Sequence, residues 1–194
     1  MDRQQILTLA FLVPADDDFA VNRLTARVSA HPFCHAELFF ESVNQCFSIV
    51  WGETAGFRCK NLSNPNYRLV SLAVSVKEYN ACLDFCRSAS THQLRFDDAG
   101  MWRAWLPPAL SCGCFYDAPS VARGRTFCSK IITEALQCAG VREVEHLLPS
   151  HTTPSSLYSA LAPSSRVVCS GVPFKRQALT NAMRFTAPSS SFSS

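Results

Sequence analysis

Between residues 67 and 88 the apolar pattern changes its period without a break. Over residues 67–76, Val70, Leu72, Val74 and Val76 alternate with Leu69, Ser71, Ala73 and Ser75, the two-residue repeat of a half-buried strand. From Lys77 to Ser88 the repeat lengthens, and Tyr79, Leu83 and Cys86 fall on one side of a helix. A strand running straight into an amphipathic helix leaves that helix to cover the sheet.

The rest of the chain extends the same plan. Residues 6–13 form an apolar run closed by Pro14 and read as a buried strand. Residues 16–28 read as a helix led by acids, with Phe19, Leu24 and Val28 at helical spacing. Residues 36–40 and 46–51 read as strands joined by a polar turn, and residues 57–60 as a further strand after Gly56. Residues 95–110, with two tryptophans and Pro107-Pro108, read as an irregular packed crossover. A second strong helix spans residues 126–139 and stops at Gly140. Thr153 caps a short helix that has Pro154 in its first turn and ends at Leu161. The predicted fold class is α+β, a small antiparallel sheet with packed helices, in one domain over residues 1–185. Residues 186–194 form a Ser-rich tail expected to be flexible, since it buries little.

Composition narrows the classes of function. Hydrophobic residues make up 47% and charged residues 17% of the 194, which excludes a disordered chain and a coiled coil. No apolar run approaches the roughly 20 residues that span a bilayer, and no cleavage-site pattern follows the first one. An intracellular, cytoplasmic location is expected. The net charge of +3 is spread thinly, with no Lys/Arg run longer than two, so no nucleic-acid partner is expected. Ten cysteines without a secretory signal read mostly as reduced core residues rather than disulfides. Zinc is the sharper alternative, on Cys112-Gly113-Cys114 and His31-Pro32-Phe33-Cys34-His35, but paired Cys-x2-Cys knuckles are missing. No cofactor is implied.

One cysteine is placed for chemistry. Cys128 opens the second strong helix, after Gly124 and two arginines and just before Lys130. A helix N-terminus lowers a thiol pKa through its dipole and free N–H groups, and these three cations are expected to add to the effect. A partly buried, inert helix cysteine is the plainer alternative. A nucleophilic thiol needs a base, and His35 opens the strand His35-Ala36-Glu37-Leu38-Phe39-Phe40. Strand alternation puts His35 and Glu37 on one face and Cys34 on the other, in the core. Glu37 is the preferred partner to orient the imidazole; Ser48 and Glu53 are its rivals. A strand-end histidine bonded only to backbone is the alternative for His35.

These pieces resemble a known group. His35-Ala36-Glu37-Leu38, then Phe127-Cys128-Ser129 with Ile131, Ile132 and Leu136, then Pro149 and Thr153-Pro154-Ser155-Ser156-Leu157 are similar to the circularly permuted papain-like hydrolases. These are members of the NlpC/P60 superfamily of the YiiX type and their poxvirus relatives, in which the cysteine helix follows the histidine strand. The resemblance covers residues 7–161 and implies Cys128 as nucleophile, His35 as base and Glu37 as orienting group. It implies a thiol hydrolase or acyltransferase acting on a peptide, amide or lipid-ester substrate through a thioester. Phe127 and Lys130 stand where relatives often carry Tyr and an acidic residue. That departure supports a second expectation: a non-catalytic scaffold binding a host or virion protein.

Overall fold

The computed structural model describes residues 4–27, 30–106 and 118–171. Its centre is a six-stranded sheet in which every neighbouring pair is antiparallel. In chain order the sheet strands are β1 (Gln4–Leu12), β2 (His35–Phe40), β3 (Gln45–Ser48), β4 (Gly56–Arg58), β5 (Tyr67–Ser75) and, after two short strands described below, β8 (Val167–Gly171). Their spatial order is β4-β3-β2-β1-β5-β8. The expected α+β class with an antiparallel sheet is therefore observed, and no helix among the described residues is long and apolar enough to cross a membrane.

The period-two pattern sorts the two faces. Leu7, Leu9 and Phe11 of β1 join Ala36, Leu38 and Phe40 of β2 and Val70, Leu72 and Val74 of β5 in one buried face. Onto it pack α2 (Val76–Thr91) and α5 (Cys128–Cys138), through Tyr79, Cys82, Leu83 and Cys86 and through Ile131, Ile132, Ala135 and Leu136. Removing such aliphatic and aromatic surface from water is the main stabilising contribution, at about 25 cal/mol per Å². The other face of β2 carries His35 and Glu37.

The strand-to-helix switch falls at Ser75. Its hydroxyl accepts from the Glu78 N–H while Glu78 accepts from the Ser75 N–H at 2.7 Å, a reciprocal cap that lets β5 run directly into α2. Arg166 locks this corner by binding Glu78 at 2.9 Å and the Ala73 carbonyl at 2.9 Å. At the far end of α5, Gly140 has φ +77°. The N–H groups of Gly140 and Val141 return to the carbonyls of Gln137 and Leu136, which is the helix stop expected there. The helix α6 (Pro154–Leu161) carries the expected Thr153 cap, reciprocated by Ser156.

Several elements depart from the sequence reading. α1 (Ala20–Arg27) begins after the acids, because Asp18 binds the Phe19 N–H at 2.7 Å and the Asn22 side chain at 2.9 Å and so sits ahead of the first turn. Phe19 and Leu24 are exposed, and α1 instead buries Thr25 and Ala26. β3 ends at Ser48, short of Trp51. The crossover holds β6 (Arg95–Phe96) and α3 (Asp98–Arg103). A short α4 (Ser120–Arg123) precedes β7 (Arg125–Thr126), which pairs in parallel with β6, so the long helix starts at Cys128 rather than at 126. Such two-residue strands have too few positions to show a period, and β8 alternates only between exposed and half-buried positions. Val28, Pro107-Pro108, Cys112, Cys114 and the tail lie outside the described residues.

Candidate active site

Two anchors bring the ends of β2 and α5 together. Ser129 donates to the Thr152 carbonyl at 2.6 Å, tying the first turn of α5 to the segment ahead of α6. Ser155, in the first turn of α6, donates to the His31 carbonyl at 2.7 Å, which fixes the chain just before β2. Phe33 adds ring contacts with Tyr158 at 4.8 Å and with Phe11 at 5.4 Å. The Thr-Pro-Ser-Ser segment thus positions both candidate reactive groups without contributing one.

The structure brings Cys128, His35 and Glu37 into one cluster. His35 Nε2 lies 3.2 Å from Glu37 Oε1, and the His35 ring interacts with the Cys128 sulfur. Cys128 is 5% exposed and Glu37 is fully buried. Burial opposes the charged ring of His35, but the Cys128 thiolate and the Glu37 carboxylate outweigh it and raise its pKa to about 10. Burial likewise opposes the Cys128 thiolate; the His35 charge and hydrogen bond, with the N–H groups of Ala36 and Ser129, more than offset this and lower its pKa. Each charge thus favours the other: the protonated ring stabilises the thiolate, and the thiolate stabilises the protonated ring.

Two of the three cations expected to assist Cys128 are engaged elsewhere. Arg123 pairs with Asp97 at 3.0 Å, and the buried Lys130 donates to the Ala118 carbonyl at 2.9 Å and lies 3.8 Å from Glu134. The neighbouring imidazole and two backbone N–H groups supply that stabilisation instead. Of the rivals to Glu37, Glu53 is bound by Arg58 at 2.6 Å and Ser48 pairs with Gly56 in the sheet.

Two residues join the site that the sequence reading did not place there. Lys60, just past β4, puts Nζ 3.4 Å from Glu37 Oε1, and Tyr67 donates to the same oxygen at 3.4 Å. Burial opposes ionisation of Glu37, yet His35 and Lys60 lower its pKa overall. Cys34 is a correction. It was expected in the core, opposite His35, but it is half-buried, donates to the Leu12 carbonyl at 3.4 Å and lines the same cavities as Cys128. It precedes the first strand residue, so strand alternation does not yet govern it. Burial first, then the Cys128 charge, pushes its thiol up to about 12.

The cluster opens into a cavity of about 480 Å³, lined largely by apolar groups including Leu12, Val50, Phe96 and Met101. Phe19, Trp51 and Trp102 also line it while remaining 73%, 61% and 42% exposed, so they mark its rim. The size falls in the range of sites that enclose a small organic group. The eight cysteines among the described residues are free thiols, and no group of three or more His, Cys, Asp or Glu among those residues is arranged to hold a metal. Comparison of the chain with protein-family models, curated proteins and solved structures gave no match.

Proposed function

We propose that the chain is a cysteine hydrolase or acyltransferase of the circularly permuted papain-like kind, within the NlpC/P60 superfamily. The observation that carries the reading is the coupling of Cys128 at a helix N-terminus with His35, itself held by Glu37, at the base of an apolar cavity.

The chemistry follows from these groups. The Cys128 thiolate attacks the carbonyl carbon of an amide or ester, and the carbonyl electrons move onto oxygen. The first N–H groups of α5 have no partner within the helix, and the Cys128 N–H is suited to receive this oxyanion. As the tetrahedral centre collapses, the His35 imidazolium gives its proton to the leaving group and a Cys128 thioester remains. Neutral His35 then takes a proton from water or another acceptor, which attacks the thioester and restores the thiolate–imidazolium pair. Glu37 is a positioning residue throughout; it holds the ring and stabilises its charge. The cavity beside Cys128 suits an apolar acyl portion.

The test is to trap the thioester. Brief incubation with p-nitrophenyl hexanoate, followed by acid quench and peptide mass spectrometry, is expected to find the hexanoyl group on Cys128. Absence of any acyl-Cys128, with a native fold and a free thiol, overturns the reading. A second reading, a non-catalytic binding scaffold, is favoured by the exposed Phe19, Trp51 and Trp102 and by the lack of a hydroxyl on Phe127. It predicts no acylation.

A further inference from the structure

Cys128 faces a second space besides the apolar cavity. A narrow void of about 10 Å³ is bounded by Cys128, Phe127, Ser129 and residues of both neighbouring hollows. It shares Thr25, Cys34, Met101 and Cys128 with the apolar cavity. It shares Ala104, Trp105 and Thr153 with a separate open cleft of about 520 Å³. A void of 10 Å³ holds about one water molecule. The nucleophile therefore sits at a waist between two sites of different chemistry.

The second cleft has a definite polarity. Trp105, His146, His151, Ser155, Ser156 and Ser159 line it, and none of its described lining residues is Asp, Glu, Lys or Arg. The serine protons are committed to the protein: Ser155 donates to the His31 carbonyl, Ser156 to the Thr153 carbonyl and Ser159 to the Ser155 carbonyl. Ser156 Oγ also accepts from the Thr153 N–H at 2.8 Å and Ser159 Oγ meets His31 Nε2 at 3.0 Å, so the acceptor lone pairs left to the cleft are those of Ser155 and the remaining one of Ser159. A ligand that satisfies them brings O–H donors, and with no carboxylate in the lining a cationic amine gains little. The Trp105 indole supplies a flat surface for a ring or a C–H face.

Resting on the hydrolase or acyltransferase reading, we propose that this cleft binds the group on the far side of the scissile bond. That group is neutral and carries several hydroxyls, as a sugar or polyol does. By microscopic reversibility the same cleft serves the departing alcohol and an incoming acceptor. In the transfer direction the acceptor hydroxyl gives its proton to neutral His35 as its oxygen attacks the thioester carbonyl. The C–S bond breaks, a C–O ester bond forms, and Cys128 leaves as the thiolate beside the His35 imidazolium. The waist is then the point where water and polyol compete for the thioester.

The experiment uses the full chain with p-nitrophenyl hexanoate as acyl donor. Glycerol, methyl glucoside, ethanolamine and glycolate are each added, and ester or amide product is measured against hexanoate. Glycerol and methyl glucoside are expected to give saturable transfer, while ethanolamine and glycolate give at least tenfold less. Trp105→Ala, and separately H146A at an exposed position, are expected to lower the transfer-to-hydrolysis ratio for methyl glucoside by tenfold or more. That ratio is independent of how fast the thioester forms, so a slow variant still reports. Hydrolysis with no polyol ester, or a ratio unchanged in both variants, overturns this proposal and leaves the thioester reading standing. Failure to acylate Cys128 at all overturns both.

Discussion

His35 Nε2 and Glu37 Oε1 lie 3.2 Å apart although their residues are neighbours on one face of the same strand. At about 3.3 Å rise per residue, their Cα atoms are separated by roughly 7 Å, too far for parallel side chains to touch. The contact forms because His35 is the first residue of β2, where the side chain can lean, and because the glutamate reaches back along the strand. Lys60 approaches the same oxygen, so one buried carboxylate oxygen lies between two cationic groups.

This arrangement sets the expected pH dependence. The Cys128 pKa is lowered and that of His35 is raised to about 10, so thiolate and protonated ring coexist between the two values. Turnover is expected to be bell-shaped, with an acid limb below the ordinary thiol range and an alkaline limb near pH 10, where the proton for the leaving group is lost. Alkylation of Cys128 needs only the thiolate, so its rate should rise through the acid limb and show no alkaline fall. A turnover limb near the ordinary histidine value of about 6.5 argues against the ion pair.

Glu37→Gln tests the orienting role. Removing the carboxylate takes away a cause that raises the His35 pKa, so the alkaline limb of turnover should move to lower pH. A fall in kcat of about 10²-fold is expected, within the usual span for acid–base catalysis. Ser48→Ala is the comparison, and it should leave the pH profile in place. If Ser48→Ala moves the alkaline limb and Glu37→Gln does not, the roles are reversed. Circular dichroism separates this shift from simple unfolding, because a misfolded fraction lowers kcat without moving the limb.

The sequence carried the central elements well because their periods are long. β1, β5, α2, α5 and α6 each offer enough positions for a two- or 3.6-residue repeat to register, and the Gly140 and Thr153 signals set two of their ends. β6 and β7 were illegible because two residues have no period, and β8 because its alternation never reaches full burial. In the site, Cys128, His35 and Glu37 were legible from helix start and strand parity. Lys60 was not, since only the β3–β4 pairing brings residue 60 beside Glu37, and no local pattern encodes that approach.

Lys60→Met is expected to act through Glu37. Lys60 is one of the causes that depress the Glu37 pKa, so removing it raises that value. A carboxylate with a depressed folded pKa contributes stability that is present above its unfolded value, about 4.5, and is lost as pH falls through the folded value. In the variant that contribution is smaller. Thermal melts between pH 3 and 7 should show Lys60→Met with the lower Tm near pH 7, and the gap to the parent closing as pH falls and Glu37 is protonated in both proteins. Parallel Tm curves count against the Lys60–Glu37 contact.

Selective labelling tests which of the ten thiols is activated. Burial raises the pKa of Cys34 to about 12 and pushes up Cys46 and Cys86 as well, while that of Cys128 is lowered. Limiting iodoacetamide at pH 6.5 is therefore expected to modify Cys128 first, despite its burial, because the thiolate is the reacting species and the cavity opens onto it. His35→Ala removes the main cause of the lowering and should slow that labelling by at least tenfold at pH 6.5, with less effect at pH 9.5, where bulk hydroxide does the deprotonation. Cys59 and Cys138 are exposed and are the natural competitors. If either leads at pH 6.5, or if Cys112 or Cys114 does, access rather than thiolate character governs reactivity and Cys128 loses its claim as nucleophile. If Cys128 leads and His35→Ala leaves its rate unchanged, the helix N-terminus alone activates the thiol and His35 loses its assignment as the base.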